Sequence, residues 1–322
     1  MATIKDVARL AGVGVSTASY ALNGNGTVSE ATRKKILEVA QALNYHPNGS
    51  ARNLKIRKTH TIGVFISRFG GAFYEDILEG IHEASMKADY ELIVCPESST
   101  IHKILTQRQV DGAIIFDSKI PSDILIRLAA EDFPIVTLDR VLGVPNTYPL
   151  TPDNRQGATD AFWHLANQGF NKLAYIQGSK DAFDNIERTE AFLEAASMTN
   201  LCVSVYDGDF TEEGGYKVGK LIISTNDLPQ GVFCANDQMA IGFLRAMDEF
   251  GLKAPSDIAV VGFDDITIAK HINPPLTTIG LSRRDWGSIA AQQLIKLIEN
   301  NTPFRSYKIR VKLIERESSR KK

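Results

Sequence analysis

Apolar positions in residues 1–45 recur at helical spacing. Ile4, Val7, Ala8 and Ala11 lie three or four apart, which predicts a helix that stops at Gly12. Thr3 followed by Asp6 reads as an N-cap with a variant capping box. A second short helix is expected over Val15 to Asn23, with Ala18, Ala21 and Leu22 inward. The turn between the two leaves room only for a tight crossing, the geometry of a helix-turn-helix, and Gly12 fills the turn position that needs a positive φ. A third helix opens at the N-cap Ser29, carries Glu30 in its first turn, and runs to about Asn44 with Ile36, Leu37, Ala40 and Leu43 as its inward stripe.

From Thr61 the pattern changes to short apolar runs alternating with amphipathic stretches. Strands are expected at 62–66, 92–95, 112–116, 135–138, 173–176, 203–206, 232–234 and 258–261, with helices near 73–88, 121–131, 154–167, 187–198, 213–224, 237–250 and 283–299. This βα alternation predicts parallel sheets covered by helices on both faces, and a break near Thr151-Pro152 divides them into two lobes. The expected fold class is therefore a small all-α helix-turn-helix domain joined to an α/β two-lobed core. Ligands of open α/β sheets sit beyond the carboxyl ends of the strands, so a cleft between the lobes is the natural site.

Charge sharpens the division. The net charge of −2 averages a module of +6 over residues 1–60 with a body of −8 over the remainder. A basic three-helix module on an acidic body points to DNA, with the second helix in the major groove. Cys95, Cys202 and Cys234 form no paired motif and sit in or beside apolar runs, so buried structural thiols are expected, with no metal site or cofactor. The N-terminus has no apolar h-region and no stretch is long enough for a membrane span, which predicts a cytoplasmic protein. Gly12-Val13-Gly14 is no dinucleotide loop: Thr17 stands at the last glycine position, and a helix precedes it rather than a strand. Neither a P-loop, an HExxH motif nor a nucleophile–base–orienter set is visible, so an enzyme is not expected.

The run IKDVARLAGVGVSTASYALNGNGTVSEATRKKILEVAQALNYHPNGSARNLK strongly resembles the LacI/GalR family of bacterial transcription regulators, and the rest of the chain resembles the family's periplasmic-binding-protein-like core. The resemblance implies that Val15, Ser16 and Tyr20 read bases of one half-site of a pseudo-palindromic operator and that Thr17 and Ser19 touch phosphates. Asn23 and Arg52 are carried with them, and Leu54 matches the hinge leucine that wedges into the minor groove. Two departures weaken the helices: Gly14 replaces the usual capping serine, and Gly49 lies within the hinge. The implied domains are 1–45 for DNA binding, 46–59 as hinge, and 60–322 as effector-binding and dimerisation core. Within that core the N-lobe takes about 60–152 and 281–308, and the C-lobe about 153–280 and 309–322.

Polar and aromatic residues follow the expected strands: Phe73 and Tyr74, Asp139 and Arg140, Phe210, Asn236, and Asp264, with Arg188 early in a helix. Carboxylates, Arg and Asn bind neighbouring hydroxyls and an aromatic ring packs on a C–H face, so this set suits a sugar. The resemblance supports Arg188, Phe210, Asn236 and Asp264 as effector contacts, while Asp237 and Asp265 read equally as cap or first-turn residues. It also leaves a purine effector open, although SKDAFDNIER lacks the second arginine of the purine-sensing members and offers Asp184 and Asn185. The expectation is a repressor of carbohydrate-utilisation genes, controlled by a sugar or sugar phosphate. A homodimer is expected rather than a tetramer, since no heptad-bearing tail follows the last strand. An exported sugar-binding protein would share the core but needs a signal peptide and no helical module. The span between Cys95 and Val110 is short for the family and predicts a reduced element there.

Overall fold

A computed structural model of the chain describes residues 2–23, 28–46, 58–67, 72–96, 101–225, 227–300 and 307–320. Two compact units divide it, Met1–Thr59 and His60–Lys322.

The first unit holds α1 (Ile4–Ala11), α2 (Val15–Asn23) and α3 (Glu30–Ala42). At its start the Asp6 carboxylate accepts from both the Thr3 N–H at 3.0 Å and the Thr3 hydroxyl at 2.7 Å. Gly12 ends α1 at φ 67°, a left-handed conformation open to glycine without penalty. The Ser29 hydroxyl caps α3 by accepting from the Thr32 N–H. Val7, Ala8, Ala11, Ala18, Ala21, Ile36 and Ala40 make the core; its many alanines let three short helices approach closely. Leu37 corrects the expected stripe, being 46% exposed. Ile36 and Ala40 share one helix face, and Leu37 is turned about 100° away from it.

The second unit contains two six-stranded sheets. The N-lobe sheet runs β11 (Tyr307–Ile309), β5 (Thr147–Pro152), β4 (Ile135–Thr137), β3 (Gly112–Phe116), β1 (Thr61–Ile66), β2 (Glu91–Pro96), all parallel. It is accompanied by α4 (Ala72–Lys87), α5 (Ile101–Thr106), α6 (Ser122–Ala130) and α11 (Arg283–Asn300). The C-lobe sheet runs β12 (Lys312–Ile314), β10 (Thr277–Gly280), β9 (Ala259–Asp264), β8 (Gly231–Cys234), β6 (Lys172–Gln177), β7 (Cys202–Asp207), parallel except for β12. Its helices are α7 (Asn154–Asn167), α8 (Phe183–Ser197), α9 (Glu212–Ile223) and α10 (Asp237–Glu249). The chain passes between lobes after β5, after β10 and after β11.

Apolar runs on the central strands β1, β3, β8 and β9 are buried on both faces, as parallel sheets between helix layers require. In the N-lobe, α4 packs so tightly on α11 that a Cβ at Gly80 would stand 2.0 Å from the Arg284 carbonyl oxygen.

Several elements differ from expectation. Strand β5 holds Pro149 and Pro152, which argue against a strand, yet it pairs between β4 and β11. Helix α8 begins at Phe183 rather than near 187, so Arg188 lies in its second turn. Cys95 and Cys234 are buried as expected, but Cys202 is exposed because it opens the edge strand β7. The short span after β2 is the six-residue helix α5.

Candidate functional site

In the first unit, the opening turns of α2 present Val15, Ser16 and Tyr20 to solvent; Val15 is 44% and Tyr20 49% exposed. Thr17 and Ser19 are half-buried beside the core residue Ala18. Exposed apolar and aromatic side chains along one helix that packs its alanines inward leave a face free to enter a groove. Asn23 closes α2; its side chain, like Arg52 and Leu54, lies outside the described residues.

In the second unit the chemistry gathers around Arg188, which is only 3% exposed. Its guanidinium stacks 3.6 Å from the Phe263 ring centroid. Nε donates to Asn154 Oδ1 at 2.9 Å, Nη1 donates to the Ala235 carbonyl at 2.5 Å, and Nη2 stands 3.8 Å from Asp264 Oδ1. Asn154 in turn donates from Nδ2 to Asp184 Oδ1 at 2.8 Å and to Glu187 Oε2 at 3.2 Å. Buried Asn185 accepts from the Gly178 N–H at 2.6 Å, tying α8 to the end of β6.

Several buried carboxyls in this region, Asp139, Asp184, Asp237 and Asp264, are held above the ordinary aspartate range. Burial pushes Asp264 up to about 7, against the downward pull of Arg188 and Arg283, and Asp184 adds to the rise. Burial likewise raises Asp184, opposed chiefly by Arg188, and raises Asp139, opposed by Arg140 and reinforced by Asp184. Asp139 follows the N-lobe strand β4, whereas Asp184 and Asp264 belong to the C-lobe, so these charges face one another across the lobes. Asp264 also adopts φ 110° and Asp265 φ 51°, conformations that ordinary side chains rarely occupy.

Aromatic surfaces line the same region. Phe73 packs against the cores of both lobes and meets Tyr74, Phe116 and Trp286 edge-on at 5.5, 5.7 and 6.4 Å. Tyr74 shares a hydrogen bond with the Ser67 hydroxyl at 3.1 Å. Phe210, at φ 65°, lays its ring against Gly178.

Residues 3–48 match the model for bacterial regulatory proteins of the lacI family, and residues 162–319 match the periplasmic binding protein-like domain. The HTH-type transcriptional repressor PurR of Photobacterium profundum is 33% identical over 329 residues, covering 99% of this chain and 98% of that protein. The chain belongs to the lacI family of bacterial regulatory proteins. Two solved structures share the lacI-family fold along its length. The lac repressor dimer bound to operator and the anti-inducer ONPF superposes with a TM-score of 0.86 at 26% identity, covering 99% of each chain. A complex of the transcriptional regulator CelR with cellobiose gives 0.72 at 30% identity, covering 99% of this chain and 100% of that one.

The lacI-family core thus brings Arg188, Asp264, Phe210 and Asn236 together at the strand ends of one lobe, while Asp139, Arg140, Phe73 and Tyr74 belong to the other. Two of these residues already spend their polar atoms on the protein. Asn236 caps α10 by accepting from the Met239 N–H and donates to the Phe210 carbonyl. Arg140 binds Asp139 through Nε and Nη2 at 3.0 and 2.9 Å and also donates to the carbonyls of Ile120 and Asp117. Both position the aromatic and acidic groups beside them. Asp237 accepts from the Thr278 hydroxyl and the Ile266 N–H, and Asp265 pairs with Arg316, so both are structural.

Sequence reasoning did not single out Asn154, Phe263 or Arg283. Asn154 sits directly after the N-cap Asp153 and reads as part of a cap, and Phe263 reads as one more strand residue. Arg283 opens α11, donates from Nη1 to the carbonyls of Asp264 and Asp265 at 2.5 and 2.8 Å, and from Nη2 to Asp76 of α4 at 2.6 Å. No pattern along the chain links residues 76, 264 and 283.

Proposed function

We propose that this protein is an operator-binding repressor of carbohydrate-utilisation genes, working in the cytoplasm as a homodimer whose DNA affinity responds to a sugar held between the lobes. In this reading residues 1–45 bind DNA, 46–59 form the hinge and 60–322 form the effector-binding and dimerisation core. Val15, Ser16 and Tyr20 read bases, Thr17, Ser19, Asn23 and Arg52 assist, and Leu54 wedges into the minor groove. The observation that carries the effector reading is the arrangement around Arg188: a guanidinium stacked on Phe263 with Asp264 and Asp184 beside it. Carboxylates accept from ring hydroxyls, Arg188 Nη2 donates to one, and Phe73 or Phe210 packs on a sugar's C–H face. The 30% identical CelR–cellobiose complex supports this chemistry.

A purine reading is favoured by the names of the PurR relatives, at 30–33% identity. Against it stands the acidic segment Asp184-Asn185, where a second arginine is absent. The test is fluorescence anisotropy on an operator duplex with sugars and with purine bases, for the wild type and Arg188→Ala. A sugar that changes operator affinity in the wild type but not in R188A supports the proposal. A response to purine bases alone overturns the sugar reading, and a sugar response retained by R188A overturns the site.

A further inference from the structure

We infer that the interlobe site takes an uncharged polyhydroxylated ring and rejects phosphorylated ligands, with Asp184 as the residue that sets this selectivity. The inference rests on the proposal above that the site between the lobes holds the effector, and it narrows the ligand's chemical class.

A phosphate ester is usually held by a guanidinium fork with two free N–H edges, by a free ammonium, or by a helix N-terminus. Among the described residues of this site, the forks and the ammonium are committed elsewhere. Arg188 has spent Nε on Asn154 and Nη1 on the Ala235 carbonyl, and Phe263 covers one of its faces. Its remaining Nη2 is already opposed by Asp264 at 3.8 Å. Arg140 has its fork on Asp139, and Arg283 has both Nη groups on Asp76 and the two backbone carbonyls, leaving a single buried Nε without a partner and no fork. Lys308 Nζ lies 3.2 Å from Glu187 and 3.6 Å from Asp153.

The helix N-termini are blocked in the same way. Four helices follow the carboxyl ends of strands at this site: α4 after β1, α8 after β6, α9 after β7 and α10 after β8. Each carries its own acid in the first turn, Glu75, Asp184, Glu212 and Asp237 respectively. An acid there competes with a ligand anion for the positive end of the helix dipole, even though burial holds Asp184 and Asp237 above the ordinary range. Asp184 also acts on its neighbours. Joined to Arg188 through Asn154, it sits close enough to Asp139 and Asp264 to raise both, so a further anion would meet Asp184 and Asp264 already drawing on one partly used guanidinium, with Asp139 paired to Arg140 nearby.

The same groups suit hydroxyls. Asp139, Asp184 and Asp264 offer oxygens that accept O–H donors, and a polyol supplies donors on successive carbons without adding charge. A phosphate at neutral pH supplies few donors and up to two negative charges.

The experiment is a thermal-shift screen followed by calorimetry on the full chain, using ribose, glucose, fructose and cellobiose, then ribose 5-phosphate, glucose 6-phosphate and fructose 6-phosphate, and hypoxanthine and guanine as the purine arm. The wild type should be stabilised by at least one free sugar and bind its phosphate at least tenfold more weakly. Asp184→Asn should narrow that ratio, and far-UV circular dichroism establishes that the variant is folded. The wild-type comparison decides the matter without the variant. A phosphate bound as tightly as its parent sugar overturns this inference and leaves the sugar reading standing. Stabilisation by purine bases alone, or by none of these compounds, overturns both.

Discussion

Asp264 offers a quantitative test, because its carboxyl is buried, strained in φ and pushed up to about 7 from the ordinary 3.8. An acid whose folded value is raised binds its proton more tightly in the native state than in the unfolded chain. Its contribution therefore favours folding below the unfolded value of 3.8 and is lost as pH rises toward and through about 7. At about 1.36 kcal/mol per pK unit the full effect is about 4 kcal/mol, and the part that falls between pH 5 and pH 8 is about 2.5 kcal/mol. Asp264→Asn keeps the shape and tolerates the positive φ but cannot titrate. The stability of D264N relative to the wild type should therefore rise by about 2.5 kcal/mol from pH 5 to pH 8. Urea unfolding at pH 5, 6, 7 and 8 measures this, and the same variant should lose its response to effector. A difference flat to within about 0.5 kcal/mol would refute the reasoning, since that is the additivity error of such comparisons. The physical meaning is that the protein carries an unfavourable buried charge at neutral pH at the place where a ligand would supply hydroxyl donors.

Other perturbations probe separate parts of the molecule. Tyr20→Ala should change which operator bases are tolerated, shifting discrimination at one position by about 1–3 kcal/mol in binding titrations against operator variants; uniform weakening on all sequences would deny it a base-reading role. Gly80→Ala should destabilise the core by about 3 kcal/mol or more in urea, because its Cβ meets the Arg284 backbone oxygen rather than a flexible side chain. Arg283→Met should leave effector binding measurable by calorimetry but shrink the effector's influence on operator affinity, since Arg283 alone joins the Asp264 and Asp265 carbonyls to Asp76 in the described residues. An undiminished change in operator affinity would remove Arg283 from the coupling between the lobes.

Much of this protein was determined by local sequence. Thr3 and Asp6, Gly12 and Ser29 set the ends of the first unit's helices through interactions spanning three residues, which a linear pattern records directly. The βα alternation likewise depends on periodicity within each element, and α7 runs over Asn154–Asn167 as its pattern predicts. Family likeness then pointed to Arg188, Phe210, Asn236 and Asp264 as candidate effector contacts from short runs around them. Tertiary structure alone decided what those side chains bond to. Strand β5 exists, despite two prolines, because β4 and β11 lie on either side of it. Leu37 and Cys202 are exposed because burial depends on which neighbours arrive, not on side-chain polarity. Asn154 reaches Arg188 across 34 positions and Arg283 reaches Asp76 across 207. Charges so distant in sequence interact only when folding brings them out of water together, and it is this shared desolvation that lifts Asp139, Asp184 and Asp264 and gives the site its acidic character.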